Sequence, residues 1–457
     1  MSRWGQVALL ALGLSMSAQA REVARDDHGG VLELSGFYKT LLTGVLLQPE
    51  SVAAARQQAS LLSAAGVSTP AVPDGGFLSA HLFRVAGRFR FEDKIELDAA
   101  WQASLSLASD AAFSGGSSLS GTIGGTGAGT QRRVVDLGGS LALGSTWRLD
   151  HQVDRLALKV TLPFGDLTIG RQVLSWGTGR FWNPTDVLSP FPPTVVDREV
   201  RRGFDAVRLA VALGDVTQLD LLYLPQLRGV DMGGVARFQT NVKGFDGSVS
   251  FGKYVRDLVI GADLVGDLGP VGVHAEGAYT LELLDLEGGP VRIGEHFFRG
   301  VIGAEVKPHE KLVLMAEYAF NGSGAERPNG YAQVLSSARV LRGEVFGAGR
   351  HQAALAASFL ASDLLTAQLS VLGNLTDPSA LLIPSFEYSF TQSVLVRAGA
   401  YVPLGRPPDP RVYDGLTATD VLTQSEAYRT ASATRGLRSD YGSSSFGAFL
   451  QLGVYVP

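Results

Sequence analysis

Cysteine is absent from the 457 residues. That excludes a disulfide framework, a thiolate metal site and a cysteine nucleophile. Charge is scarce as well: 18% of the residues are Asp, Glu, Lys or Arg, against about 25% in an average soluble domain. The net charge of −5 argues against a nucleic-acid surface. Beyond residue 20 no apolar run is long enough for a membrane helix, because charges interrupt each one. Catalytic signatures are missing too. The seven histidines, His28, His81, His151, His274, His296, His309 and His351, lack metal-site spacing, and there is no G-x-S-x-G elbow or phosphate loop. His274 and Glu276 share a face, but no nucleophile converges on them. Neither enzyme chemistry nor a cofactor or metal is expected.

What is present begins with an export signal. Arg3 precedes an apolar run from Val7 to Leu14, and small residues end in Ala18-Gln19-Ala20. This is the pattern of a cleaved secretory leader, so residues 1–20 are expected to be removed and 21–457 to form a single domain outside the cytoplasm. The mature chain is rich in glycine, with 56 in the whole sequence. Low charge, many glycines and no spanning helix leave one route across a bilayer: a closed β-barrel, which satisfies every backbone group between strands.

Alternation of period two dominates the chain. Ile95, Leu97, Ala99, Trp101, Ala103, Leu105 and Leu107 share one face, with Glu96, Asp98, Gln102, Ser104 and Ser106 on the other. The preceding segment mirrors it: Phe83, Val85, Phe89 and Phe91 oppose Arg84, Arg88 and Arg90. A tight turn at Glu92-Asp93-Lys94 places Arg90 opposite Glu96 and Arg88 opposite Asp98, with both polar sets on one face, as a lumen requires. Similar segments recur around Leu156–Leu162, Leu258–Leu264, Gly300–Val306, Leu312–Tyr318 and Val394–Ala400.

Short turn signals at Gly165-Asp166, Gly214-Asp215, 307–310, Ser362-Asp363 and 391–393 alternate with long stretches at 49–78, 109–140, 175–202, 226–243, 284–298, 321–349 and 405–440. Outer-membrane barrels combine short periplasmic turns with longer extracellular loops in this way. The Ala-rich residues 50–65 suit a short helix within the first loop. Roughly seventeen candidate strands emerge, whereas bacterial barrels hold even numbers. Reading from the two ends disagrees near 226–256, so either one assignment is wrong there or a strand is hidden between Val230 and Val242. The expected fold class is all-β, a transmembrane antiparallel barrel of about sixteen strands, with about eighteen the next choice. Ser445-Phe446-Gly447-Ala448-Phe449-Leu450-Gln451-Leu452 resembles the last-strand signal read by the barrel assembly machinery, though the chain ends Tyr455-Val456-Pro457 rather than on an aromatic residue.

Residues 170–208 stand apart. Gly170-Arg171-Gln172 leads to Trp176-Gly177, then Phe181-Trp182-Asn183-Pro184-Thr185-Asp186, several prolines, and Asp197-Arg198-Glu199-Val200-Arg201-Arg202. Proline and aromatic content suit an ordered loop that folds inward. Trp182, Asp186, Asp197, Arg198, Glu199, Arg201 and Arg202 are then constriction candidates. The alternative is an interfacial aromatic girdle with a solvated ion network outside. Strand parity puts Arg171 on the face of Leu167 and Ile169, so a bulge or rim position is needed to bring it inside. The GRQ…WG pattern resembles a proteobacterial porin-like outer-membrane β-barrel family. That resemblance covers residues 165–208 and implies a barrel in the outer membrane, with no cargo specified.

Inward charges of the first half are mostly basic: Arg84, Arg88, Arg90, Arg155, Lys159 and Arg208, with Glu96 and Asp98 among them. Later ones are mostly acidic: Asp263, Glu276, Glu305, Glu317 and Glu387, with Arg397 the exception. They either line a pore with a field across it or pair and fill the lumen. The expectation is a porin-like channel in the outer membrane for passive passage of small polar or charged solutes. Its expected partners are outer-membrane lipid, the assembly machinery and those solutes, with no nucleic acid, and a homotrimer by analogy alone. The other reading is a closed or plugged barrel in lipid or hydrophobic-compound export or envelope assembly.

Overall fold

The computed structural model describes residues 21–25, 29–109, 133–144, 146–195, 197–284 and 291–456. The expected leader lies outside them, as does most of the Gly/Ser-rich stretch after Ser109. Alternating sequence becomes one antiparallel sheet. In chain order its strands are β1 (Arg21–Arg25), β2 (Gly30–Leu46), β3 (Gly75–Phe91), β4 (Ile95–Ala108), β5 (Gly138–Leu143), β6 (Trp147–Leu162), β7 (Gly165–Gln172), β8 (Phe204–Ala212), β9 (Gln218–Leu224) and β10 (Gly233–Val242). Then follow β11 (Phe245–Tyr254), β12 (Asp257–Leu268), β13 (Val271–Leu284), β14 (Arg292–His309), β15 (Leu312–Asn321), β16 (His351–Ser362), β17 (Leu365–Asn374), β18 (Ser379–Thr391), β19 (Val394–Leu404) and β20 (Phe446–Val456).

Eighteen of these close a ring. The last strand joins the first ring strand from Gly36↔Val456 to Leu46↔Phe446, so no gap separates them. Two short strands share slots with longer ones. β1 pairs with the lower part of β2, beyond the end of β20. β5 pairs with Trp147–Gln152 of β6, and β7 takes over the same edge from Leu156. The expectation of sixteen strands is therefore corrected to eighteen. The strand suspected between Val230 and Val242 is β10, paired with β9 and β11; its residues had read as part of a long loop because Gly233-Gly234 and three polar residues break its alternation.

Turn geometry follows the sequence at the short-turn end. The β3–β4 hairpin has Arg88↔Asp98 and Arg90↔Glu96 in register, with Glu92 and Asp93 at positive φ in the turn. The long connections gather at the other end, and the first carries the expected helix, Pro49–Ala64. Outward faces are apolar around the ring: Phe83, Leu97, Trp101, Leu156, Ile169, Ile260, Ile302, Leu355, Phe386 and Leu450 are all exposed. A continuous apolar exterior on a closed barrel is stable against lipid, not water. Among the described residues no helix is long and apolar enough to cross a membrane.

Candidate functional site

The connection from β7 to β8 turns into the ring instead of out of it. At its start the chain must leave the wall. Gly170 has φ +117°, and a Cβ there would lie 2.3 Å from the Leu156 carbonyl oxygen; only glycine fits so close to the neighbouring strand. Beyond it Arg171, 2% exposed, donates to Asp205 (2.8 Å) and to the carbonyls of Val153 (2.8 Å) and Val135. Its guanidinium therefore ties together the place where β5 replaces β7 in the wall. The Gln172 side-chain amide donates to the Ala206 carbonyl at 3.1 Å. The pairing runs through Gly170 without a register shift, so Arg171 keeps the parity of Ile169 and is an anchor of the junction.

Inside the ring, the loop meets two carboxylates from the far wall. Glu276 of β13 accepts from the amides of Thr178 (2.8 Å), Gly179 (3.1 Å) and Thr185 (2.6 Å), and from the Thr185 hydroxyl (2.7 Å). Glu317 of β15 accepts from the amides of Arg180 (2.7 Å), Phe181 (3.1 Å) and Trp182 (2.9 Å). Five successive amides thus converge on two acids. Such a concave run of N–H groups binds an anion well. The ring nitrogen Nε2 of His274 also lies 2.9 Å from Glu317. Gly177, at φ +89°, would put a Cβ 2.7 Å from the Glu276 carboxylate, which explains the glycine after Trp176.

The loop then reaches a third wall. Lys39 of β2, 3% exposed, pairs with Asp197 at 2.7 Å and with Glu199. Gln451 donates to Asp197 at 3.0 Å and the Tyr455 hydroxyl to Glu199 at 2.6 Å, while the Tyr401 hydroxyl donates to the Thr194 carbonyl at 2.8 Å. Internal contacts stiffen the crossing. Arg201 pairs with Asp186 and donates to the Ser189 carbonyl at 2.7 Å. Arg198 donates to the carbonyls of Arg180 (3.0 Å) and Pro193 (2.6 Å). Burial pushes the Arg198 guanidinium down to about 10 and, near Arg133, does the same to Arg202. Trp176, Phe181 and Trp182 are buried within the ring, as is the Asp186 side chain.

The other sequence candidates meet partners close by. Arg84 donates to Asp154 (2.7 Å) and Gln102 (3.2 Å). Arg88 pairs with Asp98 at 2.9 Å and lies 3.4 Å from Glu96; Arg90 pairs with Glu33. Lys159 pairs with Asp166 at 3.1 Å, Arg208 with Asp220 at 2.6 Å and Arg397 with Glu387 at 2.6 Å. Asp263 accepts from Ser248 and lies 3.5 Å from Arg237, and Glu305 lies 3.8 Å from Arg180. Of the two readings of these charges, local pairing is what the contacts show for the basic wall, while the acids Glu276 and Glu317 are hydrogen-bonded by loop amides.

Sequence reasoning missed Asp154, which is fully buried and joins Arg84, Arg155 and the Gly203 amide. The cause is a bulge: Ala100 pairs with Arg155 but Trp101 with Val153. The inserted Asp154 turns inward beside Arg155 and shifts the parity of the rest of β6. It also missed Lys39, Arg299 and a second buried cluster near the long-loop rim. There Asp377 accepts from Tyr331 (2.5 Å), Asn374 (3.2 Å) and the Asp440 amide (3.1 Å), and Asp440 from the amides of Ala348 (2.8 Å) and Gly349 (3.2 Å). This cluster ties the connection 322–350 to the loops at 375–378 and 405–445. Burial raises the Asp440 carboxyl to about 6.

No family model matches the chain, and no curated protein matches it. Among solved structures, Acinetobacter baumannii OccAB1 aligns with a TM-score of 0.51 at 11% identity, covering 97% of this chain and 99% of that one. Pseudomonas aeruginosa OccK11 (OpdR) aligns at 0.49 with 9% identity, over 93% of this chain and 96% of that one. At 11% identity the likeness to OccAB1 speaks to the fold alone: a barrel of the same general build.

Proposed function

We propose that this chain is an outer-membrane channel for passive passage of small polar or charged solutes, with residues 173–203 as its constriction. The observation that carries the reading is the crossing loop. It is held across a closed ring by charged side chains and amide cages, so the space beside it is polar and fixed in shape, as selectivity at close quarters requires. Trp182, Asp186, Asp197, Arg198, Glu199, Arg201 and Arg202 form the constriction in this reading. Arg84, Arg88, Arg90, Glu96, Asp98, Arg155, Lys159, Arg208, Asp263, Glu305 and Arg397 line the approaches, and Glu276 and Glu317 hold the loop. The solved neighbours are porins, which agrees with this. Residues 1–20 are then the removed leader, the long connections face outward from the cell, lipid surrounds the apolar belt, and β20 carries the signal for the assembly machinery. Membership of the GRQ…WG family and assembly as a homotrimer belong to the same proposal.

A second reading has one observation in its favour. Trp176, Val187 and Leu188 of the loop pack on the inward Leu222, Leu224, Val235 and Val259, an apolar seal suited to a plugged barrel in lipid or hydrophobic-compound export or envelope assembly. Single-channel recording of residues 21–457 in a planar bilayer decides between them. Discrete potassium chloride currents support the channel. Silence from folded protein overturns it in favour of the plugged barrel.

A further inference from the structure

One row of residues runs across β13, β14 and β15: His274, Gly303 and Glu317, with Gly303 in register with both of the others. Strands two apart in a sheet are separated by about 10 Å. His274 and Glu317 would therefore not meet over any side chain standing between them. They do meet, at 2.9 Å from Nε2 to the carboxylate, because the residue between them is glycine. A Cβ on Gly303 would lie 2.4 Å from both Cε1 and Nε2 of His274, so the imidazole lies over the glycine itself. Backbone conformation does not call for glycine here, since Gly303 lacks the positive φ of Gly170 and Gly177. Glycine inside a strand costs conformational entropy and packs nothing. What it gives in return at this position is a seat for the ring.

The ring has a defined partner. The His274 side chain is 3% exposed and that of Glu317 is fully buried. An ionised carboxylate only accepts hydrogen bonds, so Nε2 is the nitrogen that carries the proton. Oε2 of Glu317 accepts from His274 Nε2 and from the Arg180 amide, while Oε1 accepts from the amides of Phe181 and Trp182. The imidazole is thus the wall's contribution to a carboxylate whose other three donors belong to the loop. Held at Oε2 from the wall side, the carboxyl group keeps one rotation and presents Oε1 to the two remaining amides.

We infer that His274, seated on Gly303, is a positioning residue of the constriction: it fixes the rotation of the Glu317 carboxylate, and through it the place of residues 180–182. The inference rests on the channel reading only where it calls the loop a constriction. The positioning itself is testable without any current.

The test uses full-length mature protein in detergent and reads hydrogen exchange of the loop amides at 180–182, with resistance of the barrel to SDS as the check of folding. His274→Phe keeps a ring over Gly303 but removes the donor, and exchange there should rise about fivefold, the loss of one hydrogen bond. His274→Gln returns a donor of similar reach and should restore slow exchange. Gly303→Ala leaves His274, Glu317 and the loop intact but displaces the ring, so it should match His274→Phe. In a His274→Ala background the same Gly303→Ala should change nothing more, because no ring is left to displace. With ¹⁵N-labelled histidine, the resonances lost in His274→Gln should show the proton on Nε2 in the parent and should move in Gly303→Ala. Parent-like exchange in His274→Phe, or His274→Gln as fast as His274→Phe, would overturn the proposal. So would Gly303→Ala acting equally with and without His274, which would trace its effect to the Ala316 carbonyl oxygen, 3.0 Å from the added Cβ. If Gly303→Ala does not fold, the comparison of His274→Phe with His274→Gln still decides. If the exchange pattern holds but the bilayer stays silent, the channel reading fails and His274 positions a plug.

Discussion

Two walls of the same ring handle buried charge in opposite ways. On β3, β4 and β6 the inward bases and acids pair side chain to side chain, Arg88 with Asp98 opposite it in register and Arg84 with Asp154 from across β4. On β13 and β15 the inward acids have no basic residue opposite: Glu276 faces Asp263 and Val301, and Glu317 faces Gly303 and Ala354. An unpaired buried carboxylate is costly, and here it recruits another segment's backbone. The difference teaches that a charge unsatisfied within the sheet is what holds a loop inside the barrel.

The largest test of this contrast is removal of Glu317. In Glu317→Ala, three buried amides and His274 lose their acceptor, and each unpaired donor costs about 1–3 kcal/mol. The loop should come free while the ring survives. Trypsin should cut after Arg180, Arg198, Arg201 or Arg202 at least tenfold faster than in the parent protein, and open-channel current should become larger and noisier. Glu317→Gln, which keeps an acceptor oxygen, should fall between the two. Unchanged protection in Glu317→Ala would mean that the amides do not depend on this carboxylate.

Much of the paired wall was legible in the sequence, and little of the other was. The β3–β4 register followed from alternation and a three-residue turn, because each partner lies within about ten residues of the other in the chain. The contacts of Glu276 and Glu317 join residues 91 to 137 positions apart, and backbone amides leave no mark in a list of side chains. A signal was available nonetheless: two inward acids with no base directly opposite them, and glycines at 177 and 179 in a loop otherwise rich in proline and aromatics. Asp154 and β10 were lost for a different reason. A bulge and a glycine pair each break the period of two, and a reading built on parity carries such an error forward until the next turn.

A milder test strikes the same cage from the loop side. Gly177→Ala forces a side chain into positive φ and toward the Glu276 carboxylate. Strain of this kind costs about 1–3 kcal/mol. The variant should show faster cleavage in the loop, with the barrel's own thermal transition nearly unmoved. Equal loss in both would show that loop and ring unfold as one unit.

The rim cluster sharpens the comparison with pH. Asp440 is an acid whose folded-state value is raised to about 6 by burial, above its ordinary value near 4. Its charged form is disfavoured in the fold, so stability is fully present below about pH 4 and declines as pH rises toward 6. Asp440→Asn removes the titration while keeping an acceptor for Ala348 and Gly349. Protection of those two amides from hydrogen exchange should be higher in the variant than in the parent at pH 7, by roughly 2–3 kcal/mol, and the gap should close near pH 4. A constant gap across that range would mean that Asp440 does not titrate there.

The smallest effect is expected on the paired wall itself. Arg88 and Asp98 stand in register and in contact, but both side chains are at least a third exposed, so water screens the pair. A double-mutant cycle with Arg88→Ala and Asp98→Ala should give a coupling of about 0.2–1 kcal/mol, shrinking further as salt is raised. The companion cycle, Glu276→Ala with Gly177→Ala, should be strongly non-additive, because once that carboxylate is gone the glycine no longer guards a close approach. Coupling of equal size in both cycles would erase the distinction between the walls. A weak first cycle and a strong second would locate the energy that orders the lumen in the amide cage, with the visible ladder of opposite charges contributing little.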